Sequence, residues 1–380
     1  MSDVVVIGGG VIGLTLAYEL AGRGVAVAVL DQGPMGQESS WAGAGILPPG
    51  NPAKAATPES QLRAHSHVLW PRLSEQLRNE TGIDNGFRRC GGIEVRLDGH
   101  ARQLEDEIEN WRTEGVEVER LDERVFEYEP RLNRDAVAAY RLPQMGQVRN
   151  PRHLKALIAG CLARGVTLRT GCPAQHFSFD SSCARAHSVS TTDGKLSAAQ
   201  FVLASGAWSN RFVSPLSGMK ARIRPLRGQI VQLTALPSPI RHVVNVGLRY
   251  LVPRDDGRIL VGSTEEAVGF DKRNTAEAVG DLIAFGRQVV PELASATFER
   301  AWSGLRPHSL DGLPYLGQVP GSSNLFIAAG HFRSGLQLSP ITAAVMTQLL
   351  LGEPTTVDLH PFRCDREGQW PGQWAVGSGQ

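Results

Sequence analysis

The strongest constraint on the fold of this chain is a glycine-rich turn close to its start. Residues 4–7 form an apolar, β-branched run of the kind that is buried on both faces of a parallel sheet. Gly8, Gly10 and Gly13 follow with the spacing G-x-G-x-x-G, and apolar residues then recur at helical spacing as far as residue 20. This order of strand, turn and helix predicts the first half of a βαβ unit.

A second strand over residues 25–30 completes the unit and ends at Asp31, ~20 residues beyond the turn. In dinucleotide-binding proteins such glycines allow a tight turn, close approach of a pyrophosphate and close packing of the helix on the sheet. The start of the helix, at Val11 and Ile12, offers N–H groups to phosphates, and Asp31 would accept hydrogen bonds from ribose hydroxyls. The motif therefore predicts a dinucleotide site, but it does not distinguish NAD from FAD.

The composition excludes several classes of protein. With 380 residues, 42% of them hydrophobic, the chain has the length of about two domains with a substantial core. A net charge of +1 gives no electrostatic field that would attract nucleic acid or an anionic membrane. No apolar stretch approaches the ~20 residues of a membrane-spanning helix. The first strand begins too early for a signal peptide, and the five cysteines include no C-x-x-C pair. We therefore expect a soluble, cytoplasmic protein with reduced thiols and no metal site.

The order of helical and strand patterns predicts the fold class. Helical patterns cover residues 61–80, 101–114, 150–164, 275–290 and 335–351, and strand patterns cover residues 93–97, 166–169, 201–204, 229–233, 249–252, 259–261 and 325–329. Asn150, directly before Pro151, is typical of a helix N-cap. The predicted fold is α/β: a Rossmann-like dinucleotide-binding domain with an inserted α+β substrate domain that contains a mixed or antiparallel sheet. We assign residues 1–47, 145–215 and 301–365 to the first domain, residues 48–144 and 216–300 to the second, and residues 366–380 to a loose tail.

A run of small residues directly after the βαβ unit bears on the identity of the cofactor. Residues 38–47 read ESSWAGAGIL. The flat isoalloxazine ring of FAD needs backbone and small side chains against its faces, so this run favours FAD over NAD. The candidate cofactor contacts within it are Ser39, Ser40, Ala44, Gly45 and Ile46.

Five later segments, taken with these two, resemble a known family. They are VLASGAWS at 202–209, RPLRGQ at 224–229, YLVPRDDGRILVGSTEEAVGFDKR at 250–273, WSGLRPHSLDGLPYLG at 302–317 and AAGHFRSGLQLSP at 328–340. In this order the chain resembles the D-amino-acid oxidase superfamily of FAD-dependent oxidoreductases, and within it the glycine oxidases of the ThiO type. The resemblance covers nearly the whole chain, and the first domain is therefore expected to bind FAD.

The resemblance implies further cofactor contacts. Gly206 and Ala207 would lie near the phosphates or ribose of FAD. Another group would border the flavin pyrimidine: Gly330, His331, Arg333, Ser334, Gly335, Leu336 and Gln337. Relatives with covalent FAD use a cysteine or histidine tether, and no cysteine stands in residues 302–317 or 328–340. We therefore expect non-covalent FAD.

The resemblance also implies the substrate site. Arg306 corresponds to the arginine that binds the substrate carboxylate, for which a guanidinium fork is the best geometric match. Tyr250 corresponds to a tyrosine that contacts the same group, and Arg333 is a second candidate for binding or steering the substrate. Glu265 is expected in a solvated turn, with a pocket position as the alternative. His308, like His331, is expected to be structural.

The expected reaction is oxidative deamination of glycine or another small amino acid. Hydride passes from Cα to flavin N5, the imine is hydrolysed to an oxoacid and ammonia or is used for thiamine thiazole synthesis, and oxygen is reduced to hydrogen peroxide. Three alternatives remain open: an oxidase of D-amino acids or sarcosine, an amine dehydrogenase, and the oxidoreductase domain of a tRNA-modifying enzyme. The near-zero net charge disfavours the last. The expected partners are the amino acid and oxygen, without nucleic acid; a homo-oligomer is left open.

Overall fold

The computed structural model describes residues 2–97, 101–136, 138–181, 184–213 and 222–366. Within these ranges the helices α1–α9 are Val11–Gly22, Ser39–Ala42, Pro58–Thr81, Ala101–Thr113, Val125–Tyr128, Asn150–Ala163, Asn210–Val213, Ala276–Val289 and Gly335–Leu350. The strands β1–β10 are Ser2–Ile7, Val27–Leu30, Ile46–Leu47, Arg88–Arg89, Gly92–Arg96, Glu119–Arg120, Ala138–Leu142, Gly146–Gln147, Thr167–Arg169 and Ala174–Phe179. The strands β11–β19 are Ala186–Thr191, Gly194–Leu203, Ile223–Thr234, Val243–Val246, Arg249–Pro253, Arg258–Gly262, Thr297–Ser309, Tyr315–Gln318 and Leu325–Ala329.

The first sheet contains the predicted βαβ unit. Its five parallel strands lie in the order β9-β2-β1-β12-β19, and β10, β11 and β18 extend it with antiparallel pairs. The three valines and the isoleucine of β1 are buried because α1 and α9 cover one face of the sheet and a cluster around Phe201 covers the other. The Rossmann-like α/β sheet that the sequence predicts is confirmed.

The second sheet has the order β17-β13-β16-β15-β14-β5-β7-β6. Its pairs are antiparallel except for the parallel pair β14–β5, so the sheet is mixed. Leu282, Phe285 and Val289 of α8 pack in a cluster with Val231 and Val261 on one face of the sheet. The opposite face contributes to the cavity described below.

The division into two domains stays a proposal. The strands of the first sheet all fall within residues 1–47, 145–215 and 301–365, which were assigned to one domain. However, the boundary at residue 301 falls inside β17, which pairs with β13 over Thr297–Ser309. One continuous strand therefore belongs to the second sheet on both sides of that boundary.

Two local expectations need correction. Asn150 lies inside the first turn of α6, and the N-cap is Arg149. The Asn150 side chain instead donates to the carbonyl oxygen of Ser40 at 2.7 Å, because residues 38–47 pass beside this turn. Arg366, expected at the start of a loose tail, forms an ion pair with Asp311 at 2.7 Å. The rest of the tail and Cys183 lie outside the described residues.

The described residues contain neither a membrane-spanning helix nor a metal-binding cluster. None of their helices is both long and apolar enough to cross a membrane. Their His, Cys, Asp and Glu side chains do not form a group of three that could hold a metal ion.

Candidate active site

A cavity of about 690 Å³ lies between the two large sheets. One part of it follows the carboxyl ends of β1, β2, β12 and β19, where α/β sheets bind their ligands. The other part reaches the face of the second sheet at Ile230 and Tyr250. The volume falls within the roughly 300–1,000 Å³ usual for small-molecule sites. Its extent along one sheet and onto another suits an elongated ligand with a smaller one beside it.

Two glycines allow the turn after β1 to pack tightly against neighbouring backbone. Gly8 has a φ of +115°, and a Cβ at this position would overlap the backbone of Ala204. A Cβ at Gly13 would overlap the carbonyl oxygen of Gly8. Gly13 does not line the cavity, so its part is to let α1 pack against the turn, whereas Gly8 and Gly10 face the cavity. The N-terminus of α1 thereby opens onto the cavity with N–H groups that have no partner within the helix.

Asp31 organises this turn as well as lining the cavity. Its carboxylate accepts hydrogen bonds from Gly9 N at 2.7 Å and from Gly33 N at 2.9 Å. Burial raises the pKa of Asp31, and these two N–H donors oppose that shift. Each carboxylate oxygen has two acceptor sites, so capacity remains for ribose hydroxyls. The ribose contact stays a proposal, and the bonds to the turn are a role that the sequence did not indicate.

The small-residue segment is held against the cavity by side chains from distant parts of the chain. Ser40 Oγ accepts from Val11 N at 2.9 Å, which joins the segment to the first turn of α1. Trp302 Nε1 donates to the Ala42 carbonyl oxygen at 2.9 Å. The segment therefore presents its backbone and small side chains to the cavity in a fixed position.

Arg254 fixes the end of the same segment. This buried guanidinium donates to the carbonyl oxygen of Ala44 at 2.7 Å, to Gln147 Oε1 at 2.6 Å and to the carbonyl oxygen of Val148 at 3.2 Å. Burial lowers the pKa of Arg254 to about 10. Arg254 joins β15 to the small sheet β3-β8-β4, and sequence reasoning missed it because no local pattern marks such a contact.

The start of α9 forms another wall of the cavity. Gly330, at the end of β19, has a φ of +83°, which allows the chain to turn into the helix. Pro340 lacks an N–H for the carbonyl oxygen of Leu336, and Ser339 Oγ donates to that oxygen instead at 2.9 Å. The first turn of α9 at Gly335 therefore keeps its helical form and its free N–H groups at the cavity.

Both histidines of this region have surroundings that favour a structural role. His331 Nε2 lies 3.1 Å from Thr342 Oγ1, and burial lowers the pKa of His331 to about 3, so this side chain is neutral. His308 packs edge-on against Phe332 with ring centroids 4.3 Å apart. Burial and the charge of Arg224 lower the pKa of His308.

Arg306 lies at the part of the cavity formed by the second sheet. Its Nη1 donates to the carbonyl oxygen of Thr264 at 3.1 Å, and its Nη2 donates to Ser263 Oγ at 2.7 Å. The guanidinium lies against Gly228, where a Cβ would overlap it. Burial lowers the pKa of Arg306. A guanidinium has five N–H donors, so several remain for a ligand in the cavity.

Tyr250 lies beside Arg306 on the same wall. It pairs with Gly262 across β15 and β16, and a Cβ at Gly262 would come within 2.7 Å of the Tyr250 ring. Two glycines, Gly228 and Gly262, thus leave the space that the two proposed substrate-binding side chains occupy. The sequence reasoning named neither glycine as part of the site.

Arg333 has a charged partner. Its Nε and Nη2 both donate to Glu265 Oε2, the Nε bond measuring 2.9 Å. The Glu265 side chain is only 15% exposed, so the expected solvated turn residue is wrong. Arg333 lines the cavity near Arg306, and the two arginines are therefore unequal: one is paired with a carboxylate, the other with neutral oxygens.

Comparison with known proteins bears on this geometry. Residues 3–349 match the model of the DAO family, described as FAD dependent oxidoreductase. The chain belongs to this family. It is 38% identical to the glycine oxidase of Pseudomonas putida, over 95% of this chain and 97% of that protein. The crystal structure of glycine oxidase from Geobacillus kaustophilus matches with a TM-score of 0.91 and 35% identity, over 96% of this chain and 99% of that one. The bifunctional protein ThiO/ThiG of Synechocystis sp. is 32% identical, over 96% of this chain and 54% of that protein. The expected resemblance is confirmed.

Family membership implies FAD, and the cavity residues fit such a cofactor. Every predicted cofactor residue other than Gly13 lines the cavity. The turn at Gly8 has no room for a side chain, and two helix starts, at Gly10 and Gly335, open onto the same space. The cavity also includes polar residues that the sequence reasoning missed: Glu94, Glu107, Asn110, Asn150 and Asn245.

Proposed function

We propose that this FAD-dependent oxidoreductase is a glycine oxidase, acting on glycine or a similarly small amino acid. The observation that carries the proposal is the partly buried guanidinium of Arg306, which lies beside Tyr250 in the cavity and has only neutral partners. Whole-length similarity to glycine oxidases supports it. A small amino acid has one carboxylate for this guanidinium and an α-carbon next to it.

The chain's own residues would hold the cofactor along the cavity. The N–H groups at the start of α1 and the backbone at Gly206 would bind the phosphates, and Asp31 would bind a ribose. The segment from Ser39 to Ile46 and the first turn of α9 would lie along the flavin ring. FAD, when bound, supplies the acceptor for hydride from the substrate Cα and passes the electrons to oxygen, which gives hydrogen peroxide.

The chain's remaining task is to position the substrate. Arg306 would bind the carboxylate through two parallel N–H bonds, and the Tyr250 hydroxyl would add a third donor. This fixes the α-carbon in one orientation. Holding the reacting atoms in place lowers the entropic part of the barrier to hydride transfer. The positive charge of Arg306 also disfavours a substrate ammonium, and so favours the neutral amine that reacts. The imine product then hydrolyses to glyoxylate and ammonia.

The test is a substrate panel on the purified protein with peroxide as the readout. We expect oxidation of glycine, weaker oxidation of sarcosine and of D-amino acids with larger side chains, and almost none of amines without a carboxylate. A D-amino acid preferred over glycine would favour a D-amino-acid oxidase, and activity only with an artificial acceptor would favour a dehydrogenase. No peroxide and no acceptor reduction from any amino acid would reject the proposal.

Two finer parts of the proposal have their own tests. FAD should be bound non-covalently, so acid precipitation should leave all flavin in the supernatant; flavin in the pellet would contradict this. We also propose that the chain supplies glycine imine for thiamine thiazole synthesis, a role that its similarity to the bifunctional protein ThiO/ThiG supports. The free thiols of the described Cys90, Cys161, Cys172 and Cys364 support a cytoplasmic location. Deletion of its gene should then create a thiamine requirement.

A further inference from the structure

A short segment after β16 holds both arginines of the cavity. Ser263 and Thr264 accept hydrogen bonds from Arg306. The next residue, Glu265, accepts two from Arg333. One segment therefore supplies partners to both guanidinium groups, but only Arg333 receives a charged partner from it.

The two arginines present different net charges to a ligand. The partners of Arg306 are a carbonyl and a hydroxyl, which leave its positive charge uncompensated. Arg333 and Glu265 form an ion pair whose net charge is zero. The Glu265 side chain is 15% exposed and that of Arg333 is 39% exposed, so the carboxylate is the more buried partner. This group of three side chains carries a single positive charge.

Arg306 and Arg333 line the same cavity, and the ion pair of Arg333 with Glu265 interacts electrostatically with Arg306. Burial is the main cause that lowers the pKa of Arg306; Arg333 lowers it further, and Glu265 raises it. Glu265 also raises the pKa of Arg224 against the effect of burial, so its charge reaches more than one cation. Without the Glu265 carboxylate, a second anion in the cavity would meet at least one further uncompensated cation.

We propose that Glu265 determines substrate specificity by neutralising Arg333, so that the cavity accepts amino acids with one carboxylate and rejects those with two. The inference deepens the proposed function and rests on it. A second carboxylate would have to displace Glu265 from Arg333 and leave that acid half-buried and unpaired, which is costly. Charge, in addition to size, then excludes a dicarboxylate such as iminodiacetate, which is glycine with a second carboxymethyl group on nitrogen.

The first test measures binding and needs no turnover. Methoxyacetate and diglycolate match sarcosine and iminodiacetate in shape, but an ether oxygen replaces the amine, so neither is deaminated. Calorimetric titration of the FAD-loaded wild type should give the tighter Kd for methoxyacetate. Glu265→Gln, which keeps the shape and removes the charge, should bind diglycolate about tenfold more tightly or better, because one charge-assisted bidentate pair is gained. Its Kd for methoxyacetate should change much less.

Two further variants separate charge at Arg333 from a general change in the segment. Glu265→Gln combined with Arg333→Gln should lose the gain in diglycolate affinity, since the gain requires the freed guanidinium. Glu266→Gln removes a neighbouring acid that pairs with Arg227, a residue outside the cavity lining, and should give no gain. If Glu265→Gln fails to fold, Glu265→Ala is measured in the same way.

The second test measures oxidation. Iminodiacetate, oxygen and water would give glyoxylate, glycine and hydrogen peroxide, with the hydride leaving a methylene carbon and water hydrolysing the imine. The ratio of kcat/KM for iminodiacetate over glycine should rise in Glu265→Gln. Absence of both peroxide and acceptor reduction from every amino acid tested with the wild type would reject the proposed function, while the titrations still test Glu265. Wild-type affinity for diglycolate equal to that for methoxyacetate, no gain in Glu265→Gln, or a gain that persists without Arg333 would overturn the specificity role.

Discussion

The guanidinium of Arg306 lies directly against the backbone of Gly228, so closely that any side chain at residue 228 would overlap it. Gly228 belongs to β13 and pairs in register with Gly304 of β17, the strand that carries Arg306. The Arg306 side chain therefore crosses the neighbouring strand β13 at Gly228 to reach Ser263, which directly follows β16. Its position depends on the missing Cβ of one glycine.

We expect Gly228→Ala to lower kcat/KM for glycine by roughly 10- to 100-fold, because a methyl group displaces the guanidinium and a shift of about 1 Å in a positioning group can cost that much. FAD content should stay unchanged. Gly280→Ala is the matched control, since nothing lies within 4 Å of a Cβ added at that position of α8. The control should keep wild-type kcat/KM and an equal or slightly higher Tm. Wild-type kinetics in Gly228→Ala would mean that Arg306 does not bind the substrate from this position.

Replacing Arg306 tests the proposed carboxylate contact itself. Arg306→Ala should raise the barrier for glycine oxidation by about 2–5 kcal/mol, the usual cost of truncating one partner of a buried charge pair. Arg306→Lys should recover only part of this, because lysine offers a point charge in place of a fork. Tyr250→Phe should cost about 1 kcal/mol, since it removes one hydrogen bond and keeps the ring.

The measurement is steady-state peroxide production, with bound FAD quantified for each variant. Amines without a carboxylate serve as the control substrates: they should be poor for the wild type and nearly indifferent to the Arg306 change. Full activity of Arg306→Ala at full flavin occupancy would reject this contact and make Arg333 the leading candidate.

The glycine turn gives a prediction about the cofactor. A Cβ at Gly10 would lie 3.2 Å from Ser40 Oγ, the acceptor for Val11 N, and the larger side chain of Gly10→Val would extend into the cavity. We expect the purified variant to have lost most of its FAD, measured as the ratio of flavin to protein absorbance. Its Tm should fall as well, since bound FAD stabilises the folded state by linkage. Wild-type flavin content would show that the phosphates bind elsewhere.

Local patterns were enough to predict the first half of the site. The strand, glycine turn and helix around Gly8 and Gly10 are contiguous in sequence. Their hydrophobic periodicity and glycine spacing therefore predict them without any knowledge of distant contacts. The final helix from Gly335 was also predicted, because its apolar pattern is long. The resemblance to the family then indicated which arginine and tyrosine to examine, but not what surrounds them.

Contacts between distant segments could not be predicted in the same way. Glu265 and Arg333 are 68 residues apart, and no local pattern couples them, so Glu265 was expected in solvent. Strand β17 begins with exposed, largely polar residues and has no clear alternation, so it was missed, and a domain boundary was set within it. Gly228 and Gly262 are recognisable as parts of the site only when the side chains above them are known.

Glu94 is a buried acid that lines the same cavity. It is 8% exposed and accepts a hydrogen bond from Asn245 Nδ2 at 2.6 Å. Across the second sheet Glu94 pairs with Asn245, and Asn245 pairs with Tyr250, so the three residues form one row on the cavity face. Burial raises the pKa of Glu94 to about 7.

This raised pKa should make stability fall as the pH rises. Below the ordinary glutamate pKa of about 4.3, the folded and unfolded chains both hold the proton, and Glu94 contributes no pH dependence. Between there and the folded-state pKa of about 7, only the folded chain holds it, so the free energy of unfolding decreases with pH. Above that range both states are ionised, and the buried charge imposes its full cost, on the order of a few kcal/mol.

Glu94→Gln keeps the shape and the oxygen that Asn245 binds but cannot ionise. We expect its Tm to exceed that of the wild type by a margin that is small at acidic pH and grows toward pH 8, as measured on FAD-loaded protein in buffers of equal ionic strength. Glu59→Gln supplies the control, because Glu59 also lines the cavity but is exposed and is not among the groups that shift the pKa of Glu94, so removing its charge should give no such gain at high pH. A Tm difference between Glu94→Gln and the wild type that did not change with pH would mean that Glu94 has the same pKa in the folded and the unfolded chain. The raised pKa would then be wrong, and the hydrogen bond from Asn245 would have to offset the effect of burial on the carboxylate.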